Sequence, residues 1–151
     1  MIFRGDPELF LPTMQCVGCY LEHEGEILLL QKREDHPHYP GKWGVVAGKV
    51  DFQEPPRAAV VREIWEETGQ EAMVELLRKI DLLRVVHPHI RFFYHLFHLR
   101  FSGIRPQIRL SSEHCRSQWA APRHAVELDL IEDEAEVISL HYGLNVIKAR
   151  I

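Results

Sequence analysis

The sequence predicts a mixed α/β or α+β fold for this chain of 151 residues. Apolar segments of strand length precede and follow one helical segment, and their order over residues 14–101 is β-β-β-α-β-β. With 46% hydrophobic residues, the chain is long enough to form one domain with a substantial core and too short for two. We therefore expect a single domain over residues 1–151, with an N-terminal extension at residues 1–12.

Three strands are expected before the helix. In order, they are residues 14–21, 26–31 and 43–46. The polar residues 22–25 between the first two strands predict a hairpin. A polar loop that contains prolines, at residues 32–42, leads into the third strand, and Gly48 follows that strand closely.

The helical segment begins near Pro55 or Pro56 and ends at Gly69. Proline is tolerated in a first helical turn because the N–H groups there have no partner within the helix, and glycine is a typical residue after a helix end. Apolar side chains recur along the segment at steps of three and four residues and predict its packing face, which comprises Ala58, Val61, Ile64, Trp65 and Thr68.

Three carboxylates, those of Glu63, Glu66 and Glu67, share another face of this helix. Like charges at these spacings are each unfavourable by roughly 0.2–0.5 kcal/mol, which suggests a compensating cation. Oxygen ligands suit Mg²⁺ or Mn²⁺. Beside a glycine loop, such an ion would bind phosphate oxygens and orient a water. The alternative is an ordinary solvated face, which is the better interpretation of an arbitrary surface helix.

The elements expected after the helix complete the prediction. They are strands at residues 73–86 and 91–101, a short helix at residues 122–128, and a helical region at residues 131–148 broken near Gly143.

The spacing of glycine, glutamate and arginine in this region is a known motif. Gly48 is followed after five residues by Glu54, and after seven more by Arg-Glu-Ile-Trp-Glu-Glu-Thr-Gly, residues 62–69. This is the pattern of the Nudix box, and the chain resembles the Nudix hydrolase family at all of these positions. The chain departs from the family pattern at two places. Gln70 occupies a position where most members have an aliphatic residue, and Val46-Ala47 precedes Gly48 where many members have Pro-Gly.

A second segment, residues 110–122, is also similar to Nudix hydrolases, in which an acidic residue often lies in a loop before a strand that carries a tryptophan. Together the two segments extend the resemblance over roughly residues 14–140. It implies a Nudix-type α/β/α sandwich with a mixed β-sheet. It also implies metal-dependent hydrolysis of a phosphoanhydride bond in a nucleoside diphosphate linked to another group.

The resemblance assigns roles to residues of the box. Glu63, Glu66 and Glu67 would bind the metal together with Gly48, whose lack of Cβ lets the backbone approach metal or phosphate. Arg62 would hold a carboxylate of the box in place through its planar guanidinium. We expect the catalytic group to comprise Arg62, Glu66, Glu67 and Glu113. Glu54 would orient the start of the helix.

Residues outside the box leave alternatives open. Glu113 is either a metal ligand or general base, or an exposed loop carboxylate, and His114 is a competing base because histidine titrates near neutrality. Lys32 and Arg33 are expected to contact substrate phosphates, though a solvated strand end explains them equally well. The paired histidines, such as His87 and His89, are expected on loops or strand surfaces.

The net charge and the distribution of apolar residues limit the kinds of partner that we expect for this protein. A net charge of −4 argues against a nucleic-acid polymer as main partner, whereas a small phosphorylated nucleotide-type substrate remains compatible. The sequence has neither the apolar stretch of a signal peptide nor a run that would span a bilayer, and we expect a cytoplasmic protein without a membrane partner.

Cys16 and Cys19 are three residues apart on an expected strand. Their side chains would therefore point to opposite faces of the sheet and would be poorly placed to bind one metal ion.

Two other functions share this fold. A Nudix-like domain can be a ligand sensor that hydrolyses nothing, and an isoprenoid diphosphate isomerase would need a cysteine in its pocket, for which Cys115 is the candidate. Intact box carboxylates favour hydrolysis over both. A homodimer is possible, because the apolar residues of the N-terminal extension would either pack across a dimer or cover the chain's own sheet.

Overall fold

A computed structural model describes residues 1–5 and 11–145 of the chain. Within these residues eight strands form one mixed sheet. They are β1 (Ile2–Phe3), β2 (Met14–His23), β3 (Glu26–Lys32), β4 (Trp43–Gly44), β5 (Val46–Lys49), β6 (Arg78–His87), β7 (Ile90–Phe101) and β8 (His114–Ala120). The helices are α1 (Pro56–Thr68), α2 (Pro122–Ala125) and α3 (Glu134–Tyr142), with a 3₁₀ turn at Val74–Leu76.

The strands follow the order β1-β6-β7-β2-β3-β4, with β5 beside β2 and β8 beside β3. The pairing of β2 with β7 is parallel and continues from Met14↔Phe92 to His23↔Phe101, whereas the other pairings of named strands are antiparallel. The β2–β3 hairpin turns at Glu24 and Gly25, both at positive φ, as a two-residue hairpin turn requires.

The two central strands separate after their hairpin. β2 pairs with β3 only at Glu22↔Ile27 and His23↔Glu26, next to the turn. Farther along β2, β5 pairs with it from Cys16↔Lys49 to Cys19↔Val46, while β8 pairs with β3. This divergence leaves a cleft between the two parts of the sheet.

Helices cover both faces of the sheet, and an α/β/α sandwich results. Because strand side chains alternate in direction, Val17, Cys19 and Leu21 of β2 pack against α1, whereas Cys16 and Tyr20 pack on the side of α2 and α3. The two cysteines therefore face opposite sides of the sheet, as predicted. None of the helices in the described parts of the chain is long and apolar enough to cross a membrane.

The predicted packing face of α1 is partly wrong. The helix begins and ends as predicted, and Gly69 follows it at φ 71, but Ala58 and Trp65 are exposed while Ala59 and Val60 are buried. The buried face is rotated toward Glu67, whose side chain enters the interior. Trp65 lies on the surface beneath the Arg109 guanidinium, 5.4 Å from its ring centroid.

Three further boundaries differ from the prediction. The strand expected from residue 73 begins at Arg78, because residues 74–76 form the 3₁₀ turn. The helix expected at residues 122–128 ends at Ala125, and the last helical region begins at Glu134, with Gly143 following it as predicted. Residues 146–148 of that region lie outside the described residues.

Part of the N-terminal extension covers the chain's own sheet. Ile2 and Phe3 pair with Val85 and Arg84 of β6, and Ile2 packs against the core on the α3 side. The remaining apolar residues of the extension include Leu9 and Phe10, which lie outside the described residues.

Candidate active site

The contact between β5 and α1 determines the position of Glu63. Gly48 pairs with Val17 in the sheet and lies directly against the Glu63 carboxylate. A Cβ added to Gly48 would lie 2.1 Å from Glu63 Cδ, far closer than two such carbons approach. A side chain at position 48 would therefore displace this carboxylate.

Arg62 connects the loop before α1 to the carboxylates of the helix. Its Nε and Nη2 donate to the two carboxylate oxygens of Glu54, both at 2.9 Å, and Nη2 also donates to the carbonyl of Lys49. Its Nη1 donates to Glu63 Oε1 at 2.7 Å and to Glu66 Oε2 at 3.3 Å. These bonds hold the pKa of Glu54 near 2, and Glu54 also accepts from a backbone N–H of its loop.

Glu67 is the most buried carboxylate of the box. Its Oε1 accepts a hydrogen bond from the backbone N–H of Ala47 at 2.9 Å, and the residue is 5% exposed. Burial raises the pKa of Glu67 well above its usual value, and the nearby carboxylates of Glu63 and Glu113 raise it further. A cation at this position would relieve both effects.

Glu113, at the end of the loop before β8, and His114, the first residue of β8, both lie beside Glu67. One ligand atom from each of these three residues lies within 4.8 Å of the other two. His114 Nε2 is 3.5 Å from Glu67 Oε2, and its buried Nδ1 has no hydrogen-bond partner. Burial and, to a smaller extent, the positive charge of Lys32 together lower the pKa of His114 to about 4, so that the ring is neutral near pH 7.

The donor set suits a hard dication. Glu63 contacts Gly48 of β5, Glu67 accepts from the Ala47 N–H of the same strand, and Glu113 joins Glu67 from the loop before β8. Oxygen ligands therefore predominate. Glu66 is exposed and contacts Arg62, and neither it nor Glu63 belongs to the 4.8 Å group.

A cleft of about 720 Å³ extends from this group. Lys32, Gly48, Glu67 and His114 are among the residues that line it. Its size falls within the usual range for pockets that hold small ligands. Arg33, by contrast, is not among the lining residues, and its guanidinium pairs with Asp35 on the surface.

The α3 side of the same cleft carries polar groups that sequence reasoning missed. His87 contacts the Tyr39 hydroxyl through Nδ1 at 3.0 Å and Asp133 Oδ2 through Nε2 at 3.2 Å. Asp133 Oδ2 also accepts from the Met1 amino group at 2.5 Å. The next residue, Glu134, is 7% exposed and lines the cleft.

His87 was expected on a loop or strand surface, but it is 9% exposed and lies at the end of β6. The acidic pair Asp133-Glu134 before an apolar helix was the available signal for this region, since such pairs commonly mark a helix N-terminus. That pattern gives no indication of a cleft.

Comparisons with known proteins identify the family to which this fold belongs. The profile of the NUDIX domain family matches residues 12–140. Dihydroneopterin triphosphate diphosphatase of Haemophilus influenzae is 25% identical over 81% of this chain and 82% of its own length. RNA pyrophosphohydrolase of Roseobacter denitrificans is 32% identical over 82% of each chain. The crystal structure of a MutT protein from Methanosarcina mazei Go1 covers 89% of this chain and 99% of its own, with a TM-score of 0.72 at 25% identity.

Proposed function

This chain belongs to the Nudix family of hydrolases, and we propose that it cleaves a phosphoanhydride bond in a small nucleotide-type substrate with the help of Mg²⁺ or Mn²⁺. The observation that carries the proposal is the convergence of Glu67, Glu113 and His114 at one side of an open cleft. Glu63, held against Gly48, supplies a further carboxylate beside this group.

Glu63, Glu66, Glu67 and the backbone at Gly48 would hold the cation. Bound there, the cation would supply Lewis-acid stabilisation for negative charge on the phosphate oxygens. Glu113 completes the set of carboxylates as a further ligand or as the base.

The protein's own groups orient these carboxylates before any ligand binds. Arg62 fixes Glu63 through Nη1 and is itself fixed by the bidentate contact with Glu54. The Ala47 N–H fixes Glu67 from the opposite side. Such prior orientation limits the reorganisation needed during the reaction. Lys32 lines the cleft and provides a cation for a substrate phosphate, whereas the surface pair of Arg33 with Asp35 does not favour the same role for Arg33.

The relatives narrow the substrate to nucleotide-type phosphates. By their names, one acts on dihydroneopterin triphosphate and another on RNA. We favour a small molecule, because a net charge of −4 gives little attraction for a polymer of phosphates. An RNA carrying a 5′-triphosphate is the alternative that the second relative supports.

Release of phosphate-containing products from a substrate panel, with and without Mg²⁺ or Mn²⁺, tests this proposal. The panel comprises nucleoside triphosphates, nucleotide sugars, dinucleoside polyphosphates, ADP-ribose and a 5′-triphosphorylated RNA. We expect metal-dependent turnover of at least one small substrate, and its loss in Glu67→Gln. Glu127→Gln is the matched control, because Glu127 is exposed and is not among the residues that line the cleft.

Two outcomes would contradict the proposal. Turnover of RNA alone would show that the substrate is the 5′ end of an RNA. Binding without turnover of any substrate would indicate a ligand sensor. The isomerase alternative has little support, because Cys115 is exposed and is not among the residues that line the cleft.

Two broader predictions accompany the proposed function. We expect the enzyme to act in the cytoplasm, and a homodimer remains a proposal that sedimentation or light scattering tests. The pairing of β1 with β6 of the same chain accounts for Ile2 and Phe3 without a second copy.

A further inference from the structure

His114 is a buried histidine of the cleft without an ordinary hydrogen bond. The residue is 7% exposed and lines the cleft as the first residue of β8. Among the residues that the structure describes, its Nδ1 has no hydrogen-bond partner. Its Nε2 is 3.5 Å from Glu67 Oε2, whereas an N–H···O hydrogen bond is usually about 2.7–3.2 Å long. Since buried polar groups ordinarily have partners, this ring is available to a ligand.

A β-bulge turns the His114 side chain toward α1. Arg116 of β8 pairs with Gln31 of β3. His114 pairs with Lys32, the next residue of β3, so that two steps along β8 oppose one step along β3. In a regular strand residues 114 and 116 would share one face of the sheet, because side chains alternate. The extra residue between them moves His114 to the other face, where Glu67 of α1 lies. Bulges commonly aim a side chain at a functional site.

The separation between His114 and Glu67 agrees with two ligands of one ion. Two donor atoms that each lie about 2.1 Å from a metal ion in a tetrahedral arrangement are about 3.4 Å apart. The exposed Glu113 supplies a third donor, because one ligand atom of each of the three residues lies within 4.8 Å of the other two. A cation bound by Glu67 would therefore lie within reach of an imidazole nitrogen.

We propose that His114 Nε2 is a ligand of the bound cation, and that this nitrogen makes the site bind a first-row transition-metal dication in preference to Mg²⁺. The inference rests on the proposed function, in which carboxylates of the box hold the cation. It adds a nitrogen ligand from outside the box and the class of metal that follows from it.

The chemistry of the donor atoms explains the preference. Mg²⁺ binds carboxylate and water oxygens and loses its waters reluctantly. Imidazole nitrogen suits transition metals, and the affinity of a site with nitrogen ligands rises along the first row from Mn²⁺ to Co²⁺. A neutral imidazole has one nitrogen with a free lone pair, which Nε2 can offer to a metal while Nδ1 carries the proton. Oxygen ligands alone would discriminate less, because carboxylates suit both Mg²⁺ and Mn²⁺.

Pulsed electron paramagnetic resonance of the Mn²⁺-loaded protein tests this inference without requiring turnover. A nitrogen nucleus that is bound directly to Mn²⁺ couples to the electron spin of the ion. We expect this coupling in the wild-type protein, and we expect it to change when the protein contains histidine labelled with the heavy nitrogen isotope. This comparison uses the wild-type chain alone and therefore does not depend on the folding of a variant.

The variant His114→Gln assigns the ligand to one residue. Glutamine offers an amide oxygen in place of the ring nitrogen, and we expect the nitrogen coupling to disappear. Calorimetric titration with Mg²⁺, Mn²⁺ or Co²⁺ alone measures the preference. We expect the ratio of Co²⁺ to Mg²⁺ affinity to fall at least tenfold, because even the loss of a group around a metal site costs about 10–100-fold in affinity. His124→Gln is the matched control, since His124 is exposed and is not among the residues that line the cleft.

The results separate this inference from the proposed function. Absence of a histidine nitrogen coupling in the Mn²⁺-loaded wild type would overturn the inference, as would an unchanged affinity ratio in His114→Gln. Metal-dependent turnover without the coupling would leave the proposed function standing and refute the role of His114. Should the coupling and its loss be observed while no substrate is hydrolysed, the proposed function fails and the nitrogen ligand stands.

Discussion

The Glu63 carboxylate lies where a side chain of residue 48 would be, because Gly48 has none. The contact is between β5 and the middle of α1, and a Cβ on Gly48 would approach Glu63 Cδ to 2.1 Å. Any residue with a Cβ at position 48 would move the carboxylate from this place. The strand and the helix can therefore approach each other closely enough for carboxylate and backbone to share one ligand.

Gly48→Ala is expected to abolish most activity. The added methyl group would displace Glu63, and a shift of about 1 Å in a positioning group can reduce the rate of catalysis about 100-fold. Steady-state kinetics measures kcat/KM, and a Mg²⁺ titration measures loss of cation affinity.

The control for this substitution is Gly25→Ala, at a hairpin turn with φ +79 and open space around the Cβ position. It should lower the free energy of unfolding by about 1–2 kcal/mol, because alanine is strained at positive φ, and leave activity per folded molecule unchanged. Full activity of Gly48→Ala would contradict the spatial argument.

Arg62→Lys tests whether the guanidinium positions the box. Lysine keeps the charge but cannot contact Glu54 in a bidentate manner while also bonding Glu63 and the Lys49 carbonyl. We expect the free energy of unfolding to fall by about 1–3 kcal/mol, and kcat to fall with it. Denaturant unfolding and kinetics measure both, with exposed Arg123→Lys as control. A variant with wild-type kcat would show that the guanidinium is not needed.

Glu113 rather than His114 is expected to act as the base. His114 is buried and its Nε2 lies 3.5 Å from Glu67, whereas Glu113 is exposed at the same group, where an attacking water can reach it. Glu113→Gln should lower kcat by about 100-fold or more with little change in stability, and His114→Asn should have a smaller effect on kcat. The reverse order of the two kcat values would identify His114 as the base.

Glu134 is expected to make the ligand-free protein less stable at alkaline pH. Its pKa is raised from 4.5 to about 7 in the folded state, so that the folded protein holds this proton more tightly than the unfolded chain does. Stability from this group is fully present below pH 4.5 and decreases as pH rises through about 7. The loss corresponds to about 3 kcal/mol by pH 8.

Glu134→Gln should therefore match the wild type near pH 4.5 and exceed its free energy of unfolding at pH 8. Urea unfolding of both proteins across this range measures the difference. Glu127→Gln, whose carboxylate is exposed, should show no comparable trend. A constant difference between Glu134→Gln and wild type at every pH would refute the assignment of this titration to Glu134.

The extent of α1 and the composition of the box could be predicted because both depend on residues close in sequence. Proline before the helix, Gly69 after it and the spacing of Glu63 and Glu67 are local signals. The face of α1 that packs against the sheet was less predictable. Local periodicity predicts Trp65 in the core. In the structure Glu67 faces inward, where it accepts a hydrogen bond from β5, and Trp65 lies on the surface.

The sequence by itself determined the family, the layered fold and the carboxylates of the box, because fixed spacings within one loop and one helix encode them. Only the tertiary structure decided that Glu113 and His114 meet Glu67, and that His87 and Glu134 line the same cleft. Glu113 and His114 lie more than 40 residues after Glu67 in the chain, and Glu134 lies more than 40 residues after His87. Their proximity results from strand pairing and from the divergence of β2 and β3, which no local pattern specifies.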